Sequence, residues 1–385
     1  MMQCRVCLTA LGAPVFRAEL PAITSVLTFL NVATEVYVCE GCGHAQCPDL
    51  PDIQAFYDTE YRISLESDDH DQIFAVTPSG PPIYRTDHQT SLSLRLLDLP
   101  PNAKVLDYGA AKAATLRKLT EVRADVDPYV FDVSNDYEPA WRGWVPRENQ
   151  ATHAVPDTWH GKFDAVMSHF VIEHVADPVA FLKTIRALLK SEGRLLLSLP
   201  DVAGNPGDMA VVDHLNHFSE VSLRHALSRA GFTALKLDTV SFPGAIFTVA
   251  TPAADNDSEC PNPTAVAMAA ALNVSICEFW REAEKRLDAA TRRYAGQRCA
   301  VYGAGFYGSW IHGRLKDKLD IAAFLDQNPK LQGASHLGLS VIPPAELPEE
   351  VHVVFMGLNP LKARAIAAQV PVLARQGLEL VWLDD

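Results

Sequence analysis

The sequence has few positive charges and no long apolar run. Its 33 lysine and arginine residues are outnumbered by 47 aspartate and glutamate residues, for a net charge of −14. This balance argues against nucleic acid as the main partner, because phosphate backbones require a basic surface. The apolar run at 265–274 is far shorter than the ~20 residues that span a bilayer. The start, MMQCRVC, lacks the apolar centre of a signal peptide, so we expect a cytoplasmic protein with no membrane partner.

Glycine is scarce at one place where it is expected. The stretch KVLDYGAAKAATLRKL at 104–119 has the pattern of a strand, a small-residue loop and a helix, but its loop contains only Gly109. Ala111 and Ala113 take the usual positions of a second and a third glycine. Alanine adopts helical angles easily and a positive φ only at a cost. Helical angles at both alanines would leave a working cofactor loop, whereas a positive φ would favour a site that has lost its cofactor.

The length of 385 residues favours two or three domains. Alternating strand and helix patterns over 99–250 predict a doubly wound parallel sheet. The predicted parts are a cysteine module (1–60), a connector lining the site (61–98), the α/β domain (99–250), a linker and long helix (251–296) and a second α/β unit (297–385).

Cysteine is concentrated at the start, where five of the eight lie within the first 47 residues. The paired positions are Cys4 and Cys7, then Cys39 and Cys42. Thiolates at these spacings bind zinc tetrahedrally, and four of them leave no position open for substrate or water. We therefore predict a structural zinc site, with four buried free thiols as the alternative. His44 and Cys47 are spare donors that could replace one ligand.

Two acids follow the first two strands of the α/β domain. Asp107 ends the strand before the Gly109 loop, and Asp132 ends the next strand. An acid at the second position can accept hydrogen bonds from both hydroxyls of a ribose. The helix after the loop offers backbone amides to an anionic group. These features alone fit a nicotinamide cofactor as well as other nucleoside ligands.

The next stretch narrows the choice of cofactor. FDAVMSHFVIEHVADPVAFLKTIRALLKSEGRLLLSLPD, at 163–201, resembles the AdoMet-dependent methyltransferases of the Rossmann-like class, most specifically in IEHVADP and LLKSEGRLLLSLPD. The resemblance implies that AdoMet binds with its methionine part near Gly109, its ribose at Asp132, and Ser168 and His169 close by. The implied cofactor residues are Asp107, Gly109, Ala111, Asp132, Ser168 and His169.

A histidine cluster, DHLNHFS at 213–219, lies between a strand end and a helix. That position is the carboxyl edge of a parallel sheet, where ligands bind. Histidine at its normal pKa can accept a proton at neutral pH, and a neighbouring acid can orient it. Asp213, His214 and His217 are therefore predicted to be catalytic, with structural roles as the alternative.

The order of these parts resembles the nucleotide-sugar C-methyltransferases of deoxysugar pathways, which have a four-cysteine zinc module, an AdoMet domain and a C-terminal Rossmann-like domain. The resemblance implies that Asp213 and His214 abstract a proton beside a keto group, and that His217 contributes a second ring. It also implies a tyrosine at the sugar site, for which Tyr61 is preferred to Tyr57. Packing of the cysteine module is the alternative role for both tyrosines.

The last part of the chain opens with VYGAGFYG, in which Gly303, Gly305 and Gly308 have the G-x-G-x-x-G spacing. The following strand ends at Asp326, as in nucleotide-binding folds. The resemblance implies that this domain helps to hold a sugar nucleotide. The alternatives are a domain that only packs and a site for NAD.

The sequence thus predicts an α/β protein, with a Rossmann-like AdoMet methyltransferase domain between a zinc module and a C-terminal Rossmann-like domain. The predicted reaction is methyl transfer from AdoMet to a nucleotide-linked keto sugar, preferably to carbon, with His214 as the base. The alternatives are methylation of oxygen or nitrogen on a related carbohydrate, and a non-catalytic sugar-nucleotide-binding protein.

Overall fold

The computed structural model describes residues 2–19, 21–51, 73–75, 83–253 and 260–384. Tyr57 and Tyr61 lie outside these ranges. Their place at a sugar site therefore stays a prediction.

Short strands build the N-terminal module. They are β1 (Phe16–Ala18), β2 (Ala22–Ile23), β3 (Phe29–Leu30), β4 (Thr34–Val38) and β5 (Ala45–Gln46). β4 pairs antiparallel with both β1 and β5, and β2 pairs with β3. Phe16, Ile23 and Val36 are buried in a core shared with later parts of the chain.

The central domain supplies the largest sheet, and the connector supplies a separate two-stranded sheet. Their strands are β6 (Ile73–Ala75), β7 (Ile83–Tyr84), β8 (Lys104–Tyr108), β9 (Asp127–Asp132), β10 (Gln150–Thr152), β11 (Phe163–His169), β12 (Leu189–Pro200), β13 (Asn216–His217), β14 (Phe232–Asp238) and β15 (Ala245–Pro252). Their helices are α1 (Arg85–Leu97), α2 (Ala114–Val122), α3 (Glu138–Trp141), α4 (Pro178–Leu188) and α5 (Glu220–Arg229).

The central sheet has the order β10-β9-β8-β11-β12-β15-β14. β15 runs antiparallel to both of its neighbours, so the prediction of an all-parallel sheet is wrong at this strand. The connection from β14 to β15 spans only 239–244 and turns at Gly244, whose φ is 86°. Since a parallel return needs a crossover of a dozen or more residues, this short link produces a hairpin.

Helix α4 begins with a capping aspartate and a proline, Asp177 and Pro178. The Asp177 carboxylate accepts a hydrogen bond from the Ala180 amide at 2.9 Å, and Pro178 occupies the first turn of α4, where no amide donor is needed. Leu182 and Ile185 then face the core, fully buried. This end of α4 fixes the segment that leads into it from β11.

The long helix predicted over 265–292 is α6 (Pro263–Arg293). Its buried residues include Ile276, Trp280 and Leu287, as its apolar spacing indicated. In the described ranges, α6 is the one helix long and apolar enough to cross a membrane, a test that core helices of globular proteins also pass. Here its apolar side contributes to the core between the N-terminal module and the last domain.

The C-terminal domain is a second α/β unit. It contains β16 (Arg298–Tyr302), α7 (Phe306–Leu315), β17 (Asp320–Leu325), β18 (Ser335–His336), β19 (Leu339–Ile342), β20 (Val353–Met356), α8 (Pro360–Ala367) and β21 (Glu379–Val381). The sheet order is β18-β19-β17-β16-β20-β21, with β18 antiparallel to β19. The remaining pairs are parallel, as in nucleotide-binding folds.

Trp280 lies where α6, the C-terminal domain and the central domain meet. Its ring is 4.7 Å from that of Trp310, between centroids, and 5.8 Å from that of Tyr307. Its indole N–H donates to the Pro206 carbonyl at 2.8 Å. The side chain is fully buried. Trp280 therefore joins the last domain to the segment that precedes the histidine cluster.

We expect Trp280→Ala to lower the free energy of unfolding by about 3–5 kcal/mol, since it removes a fully buried aromatic side chain. Met268→Ala, on the same helix but 69% exposed, should change it by less than about 0.5 kcal/mol. Urea denaturation of both variants checks this. Equal effects would contradict the buried junction.

Candidate active site

The four predicted zinc ligands come together. Sγ of Cys4 lies 3.5 Å from Sγ of Cys42, and Sγ of Cys7 lies 3.4 Å from Sγ of Cys39. All four sulfur atoms are within 4.8 Å of one another. A tetrahedral ion with bonds of ~2.3 Å places sulfurs roughly 3.8 Å apart, so the cluster fits zinc. With three of the four cysteines buried, the site is built for a structural ion.

Each half of the cysteine cluster is attached to the central domain. The Arg5 guanidinium, between Cys4 and Cys7, donates to the Ala176 carbonyl at 2.8 Å. The Gly43 carbonyl, beside Cys42, accepts from the Ser219 hydroxyl at 3.2 Å. Folding of the module around a metal therefore positions two segments of the central domain.

A third attachment is a strand pair. β13 continues the sheet of the N-terminal module by pairing antiparallel with β5, with His217 opposite Ala45. The Asn216 amide donates to the Ile172 carbonyl at 3.1 Å and to the Val175 carbonyl at 2.7 Å. The predicted histidine cluster is thus held between the module and the loop after β11.

Asp208 is the acid that orients the histidines. One carboxylate oxygen is 2.5 Å from Nδ1 of His214, and the other is 3.0 Å from Nδ1 of His217. The prediction that Asp213 orients His214 is therefore wrong. The sequence analysis did not predict Asp208, which is the last residue of the loop GNPGD at 204–208. No local spacing in the sequence distinguishes the two acids.

Asp213 has a different set of contacts. Its carboxylate accepts from the amide of Ser25 at 2.7 Å and from the Ser25 hydroxyl at 2.6 Å, and the residue is fully buried. Its main-chain carbonyl is 3.0 Å from Nδ1 of His174. Asp213 thus ties the N-terminal module to the cluster and fixes the His174 ring. A direct role in proton transfer stays a prediction.

The rings of His174 and His214 meet edge to face, with centroids 4.7 Å apart. Burial lowers the pKa of His214, but the charge and hydrogen bond of Asp208 raise it more, to about 9. Burial and the nearby charge of His214 lower the pKa of His174 to about 4. At neutral pH His214 is therefore cationic and His174 is neutral. The raised pKa of His214 differs from the ordinary value that the sequence analysis expected.

His217 differs from the other two rings in its burial. It is only 1% exposed, and its Nε2 is 3.4 Å from Sγ of Cys47. Both ring nitrogens of His217 contact protein atoms, Sγ of Cys47 and the carboxylate of Asp208. In the described structure His217 therefore helps to hold Asp208 in place. Its predicted contribution as a second ring at the substrate remains untested. Cys47, considered above as a spare metal ligand, is instead a partner of His217.

The predicted cofactor residues line one edge of the central sheet, at the carboxyl ends of β8, β9 and β11. The Asp132 carboxylate accepts from the amides of Ala111 at 2.8 Å and Ser134 at 3.0 Å. A carboxylate has about four acceptor positions, so capacity remains for ribose hydroxyls. Burial, with a contribution from Asp132, raises the pKa of Asp107 to about 8. This edge fits the nucleoside part of AdoMet.

Ser168 and His169 end the third of these strands. The Ser168 hydroxyl donates to the Tyr108 carbonyl at 2.8 Å, and Nδ1 of His169 is 2.7 Å from the Ser198 hydroxyl. Burial, and then the charge of Arg85, lower the pKa of His169 to about 3, so the ring is neutral. These bonds fix the ends of β8, β11 and β12 against one another. Contact with the cofactor stays a prediction for both residues.

The two alanines of the loop are not helical. φ is 44° at Ala111 and 54° at Ala113, beside 78° at Gly109. The loop thus keeps a left-handed backbone at all three glycine-like positions, which is the outcome that favours a site that has lost its cofactor. Each alanine carries strain of about 1–2 kcal/mol. The Ala113 methyl group, only 1% exposed, packs in the core and so leaves the cleft clear.

The loop after β11 connects the cofactor edge to the histidines. A Cβ atom on Gly109 would lie 2.5 Å from Cγ2 of Val171, so the backbone at Gly109 packs against the Val171 side chain as closely as glycine permits. Phe170 also has a positive φ, 56°, and the Arg85 guanidinium lies 4.4 Å from its ring centroid. The sequence analysis did not predict Arg85. It included His174 in the motif IEHVADP but gave that residue no role.

The C-terminal glycine loop repeats the local design of the first. The Asp326 carboxylate accepts from the amides of Ala304 and Asn328, both at 2.8 Å. A Cβ atom on Gly308 would lie 1.8 Å from the Gly303 carbonyl oxygen, whereas one at Gly305 would meet nothing within 4 Å. Two of the three glycines are therefore required by packing, and Gly305 leaves open space.

Tyr307, in the first turn of α7, reaches the central domain. Its hydroxyl accepts from the Gly207 amide at 2.7 Å and donates to the Asn205 side chain at 2.9 Å. A Cβ atom on Gly207 would lie 2.7 Å from the tyrosine ring. The last domain therefore contacts the residue immediately before Asp208.

One family model and several solved structures are similar to part of this chain. Residues 84–237 match the family model described as a methyltransferase domain. Solved structures with similar folds include an S-adenosylmethionine-dependent methyltransferase from Mesorhizobium loti, with 15% identity over 41% of this chain and 95% of that one and a TM-score of 0.34. A SAM-dependent methyltransferase from Aquifex aeolicus has 17% identity over 42% and 89%, and also a TM-score of 0.34. No curated protein matches the chain.

The matched stretch includes the loop at Gly109, Asp132 and the histidine cluster, so the central domain is a methyltransferase domain. On this match the protein is an enzyme that contains a methyltransferase domain. The cysteine module and the C-terminal domain lie outside the match.

We expect Cys39→Ser to remove the bound metal and to lower the melting temperature, because binding of a structural zinc contributes to folding. Loss of the module also removes the β5–β13 pair, so activity should fall with the metal. Elemental analysis and thermal unfolding check this. Cys260→Ser, at an exposed cysteine outside the cluster, is the control, and zinc retained by Cys39→Ser would contradict the site.

We expect Ala111→Gly and Ala113→Gly each to stabilise the protein by up to about 1 kcal/mol, since glycine adopts a positive φ without strain. Ala110→Gly, in the same loop and without a positive φ, should destabilise it by about 0.5–1 kcal/mol. Denaturant unfolding checks both. Calorimetry with AdoMet adds a second measurement: binding by the glycine variants alone would mean that the alanines have disabled the natural loop.

Proposed function

We propose that the protein transfers the methyl group of AdoMet to a carbon atom beside the keto group of a nucleotide-linked sugar. The observation that carries the proposal is the buried group of Asp208, His174 and His214 next to the cofactor edge. A keto group acidifies the hydrogen on its neighbouring carbon, and removal of that hydrogen requires a base and a donor for the enolate oxygen. Two adjacent histidines in different charge states can supply both.

The roles of the two rings follow from their surroundings. His174, neutral and fixed through Nδ1 by the Asp213 carbonyl, can accept the proton from carbon. His214, kept cationic by Asp208, can donate a hydrogen bond to the forming enolate oxygen. This assignment reverses the role of His214 as the base that the sequence suggested. Groups whose environments shift their pKa values apart commonly divide acid and base roles in this way.

The cofactor would provide the methyl group, and the protein would hold and orient it. When bound, AdoMet supplies an electrophilic methyl group on a positively charged sulfur. Asp132 would hold the ribose, and the backbone around Gly109 would lie against the methionine part. Gly109 packs against the side chain of Val171, three residues before His174, which supports a cofactor edge close to the two rings. Orientation of the two reactants then needs no large movement.

The sugar nucleotide would lie between the central and C-terminal domains. Two observations support this position: Tyr307 contacts the residue before Asp208, and Gly305, two residues before Tyr307, leaves open space. Backbone amides of such a loop can hold a diphosphate even on an acidic protein. The experiment described next identifies the sugar and the nucleotide base.

The test incubates AdoMet carrying a 13C-labelled methyl group with a panel of nucleotide 4-keto sugars. NMR of the product separates a new C–CH3 group from O–CH3 or N–CH3. We expect C–CH3. A label on oxygen or nitrogen would instead establish the related O- or N-methyltransferase, and no labelled product from any acceptor would reject a sugar substrate.

Two matched variants test the acid assignment. Asp208→Asn should lower turnover by about 100-fold or more, since it removes the charge that holds the imidazolium. Asp213→Asn should lower turnover by less than about tenfold while reducing stability, because the Asp213 carboxylate is hydrogen-bonded to Ser25 and lies farther from the rings, 3.6 Å from Nδ1 of His174. Exchange of the substrate's acidic hydrogen in D2O without AdoMet measures the proton step alone. The opposite order of effects would restore Asp213 as the partner.

A further inference from the structure

Three side chains at the centre of the site lie in an arrangement that suits a metal ion. Glu173, His174 and His214 each offer a ligand atom, and these atoms lie within 4.8 Å of one another. Glu173 and His174 are neighbours in a 3-10 turn over 172–174, and His214 approaches from the loop before β13. The group contains no cysteine and lies apart from the four-thiolate cluster.

The carboxylate of Glu173 has an unexplained oxygen. The residue is 1% exposed, and its Oε2 has no hydrogen-bond partner in the part of the chain that the structure describes. A buried polar atom without a partner is costly, and so it indicates a missing ligand or ion. A cation between Glu173 and the two rings would supply that partner.

The surroundings of the rings are those of metal-binding histidines. Nδ1 of His174 is 3.0 Å from the Asp213 carbonyl, and Nδ1 of His214 is 2.5 Å from the Asp208 carboxylate. In metal sites, a ring that coordinates through one nitrogen usually donates its other N–H to a carbonyl or carboxylate, which fixes its orientation. Both acceptors needed for this pattern are present.

The nearby carboxylates also suit a cation, which displaces the ring proton of His214 when it binds. Glu173, Asp208 and Asp213 bring three carboxylates into one buried region, at exposures of 1%, 3% and 0%. The ligand set of two imidazoles and one carboxylate suits zinc, cobalt or nickel, whereas magnesium and calcium prefer oxygen ligands alone. Three protein ligands leave a coordination position open, unlike the four cysteines.

We infer that Glu173, His174 and His214 form a second metal site, which takes a divalent transition metal and thereby inhibits the enzyme. Inhibition follows because a coordinated imidazole nitrogen can neither accept a proton nor donate a hydrogen bond. The inhibitory part rests on the proposed function of the two rings. The binding part stands on the geometry alone.

The experiment adds cobalt(II) to the zinc-loaded protein and measures cobalt bound per chain by equilibrium dialysis and by absorption. We expect one cobalt per chain, with d–d bands and no thiolate charge-transfer band, since zinc keeps the cysteines. Glu173→Gln and His174→Gln should weaken cobalt binding at least about tenfold. His312→Gln is the matched control, because His312 is also a buried histidine but lies in the C-terminal domain. It should bind cobalt as the natural protein does.

The outcomes separate the inference from the proposed function. No bound cobalt, a thiolate charge-transfer band, or unchanged binding in both Glu173→Gln and His174→Gln would overturn the second site. Retained zinc in each variant shows that it has folded. Methyl transfer should fall in proportion to bound cobalt and recover when a chelator removes it, and full activity with cobalt bound would overturn the inhibition. Cobalt binding without methyl transfer to any acceptor would reject the proposed function and leave the metal site in place.

Discussion

The site depends on one carboxylate, that of Asp208. One of its oxygens holds the ring of His214 and the other holds the ring of His217, and the residue is buried. Through His217 the contact extends to Cys47 in the N-terminal module. Because the negative charge is shared between two imidazoles, each ring is stabilised in its cationic form. A buried charge of this kind is tolerated only when its partners are fixed in place.

Three parts of the chain fix the segment that carries Asp208. Trp280 of α6 donates to the Pro206 carbonyl, Tyr307 of the C-terminal domain contacts Gly207, and the Asn359 side chain donates to the Gly204 carbonyl at 3.0 Å. The contacts come from elements far apart in the sequence. The outer domains thus have a direct effect on the active site even without contacting a ligand. The methyltransferase domain alone would lack these restraints.

Local sequence patterns predicted the elements better than the contacts between them. The Cys4 and Cys39 pairs, the start of α4 and the extent of α6 follow from spacing and capping, which are local. The antiparallel direction of β15 depends on the short connection from β14. The alternation of strand and helix patterns does not take the length of that connection into account. Asp208 could not be distinguished from Asp213, because the choice depends on Ser25, almost two hundred residues away. Likewise, the positive φ of the loop alanines is imposed by the Asp132 carboxylate and the surrounding core, which override the preference of alanine.

The shared design of the two glycine loops has a consequence for interpreting related sequences. In each domain an acid at the end of the second strand, Asp132 or Asp326, closes its own loop by accepting two backbone amides. The acid is therefore needed for folding before any ligand arrives. It follows that an aspartate at this point of an α/β domain is poor evidence for a nucleotide, and that the space beside the glycines is the better criterion.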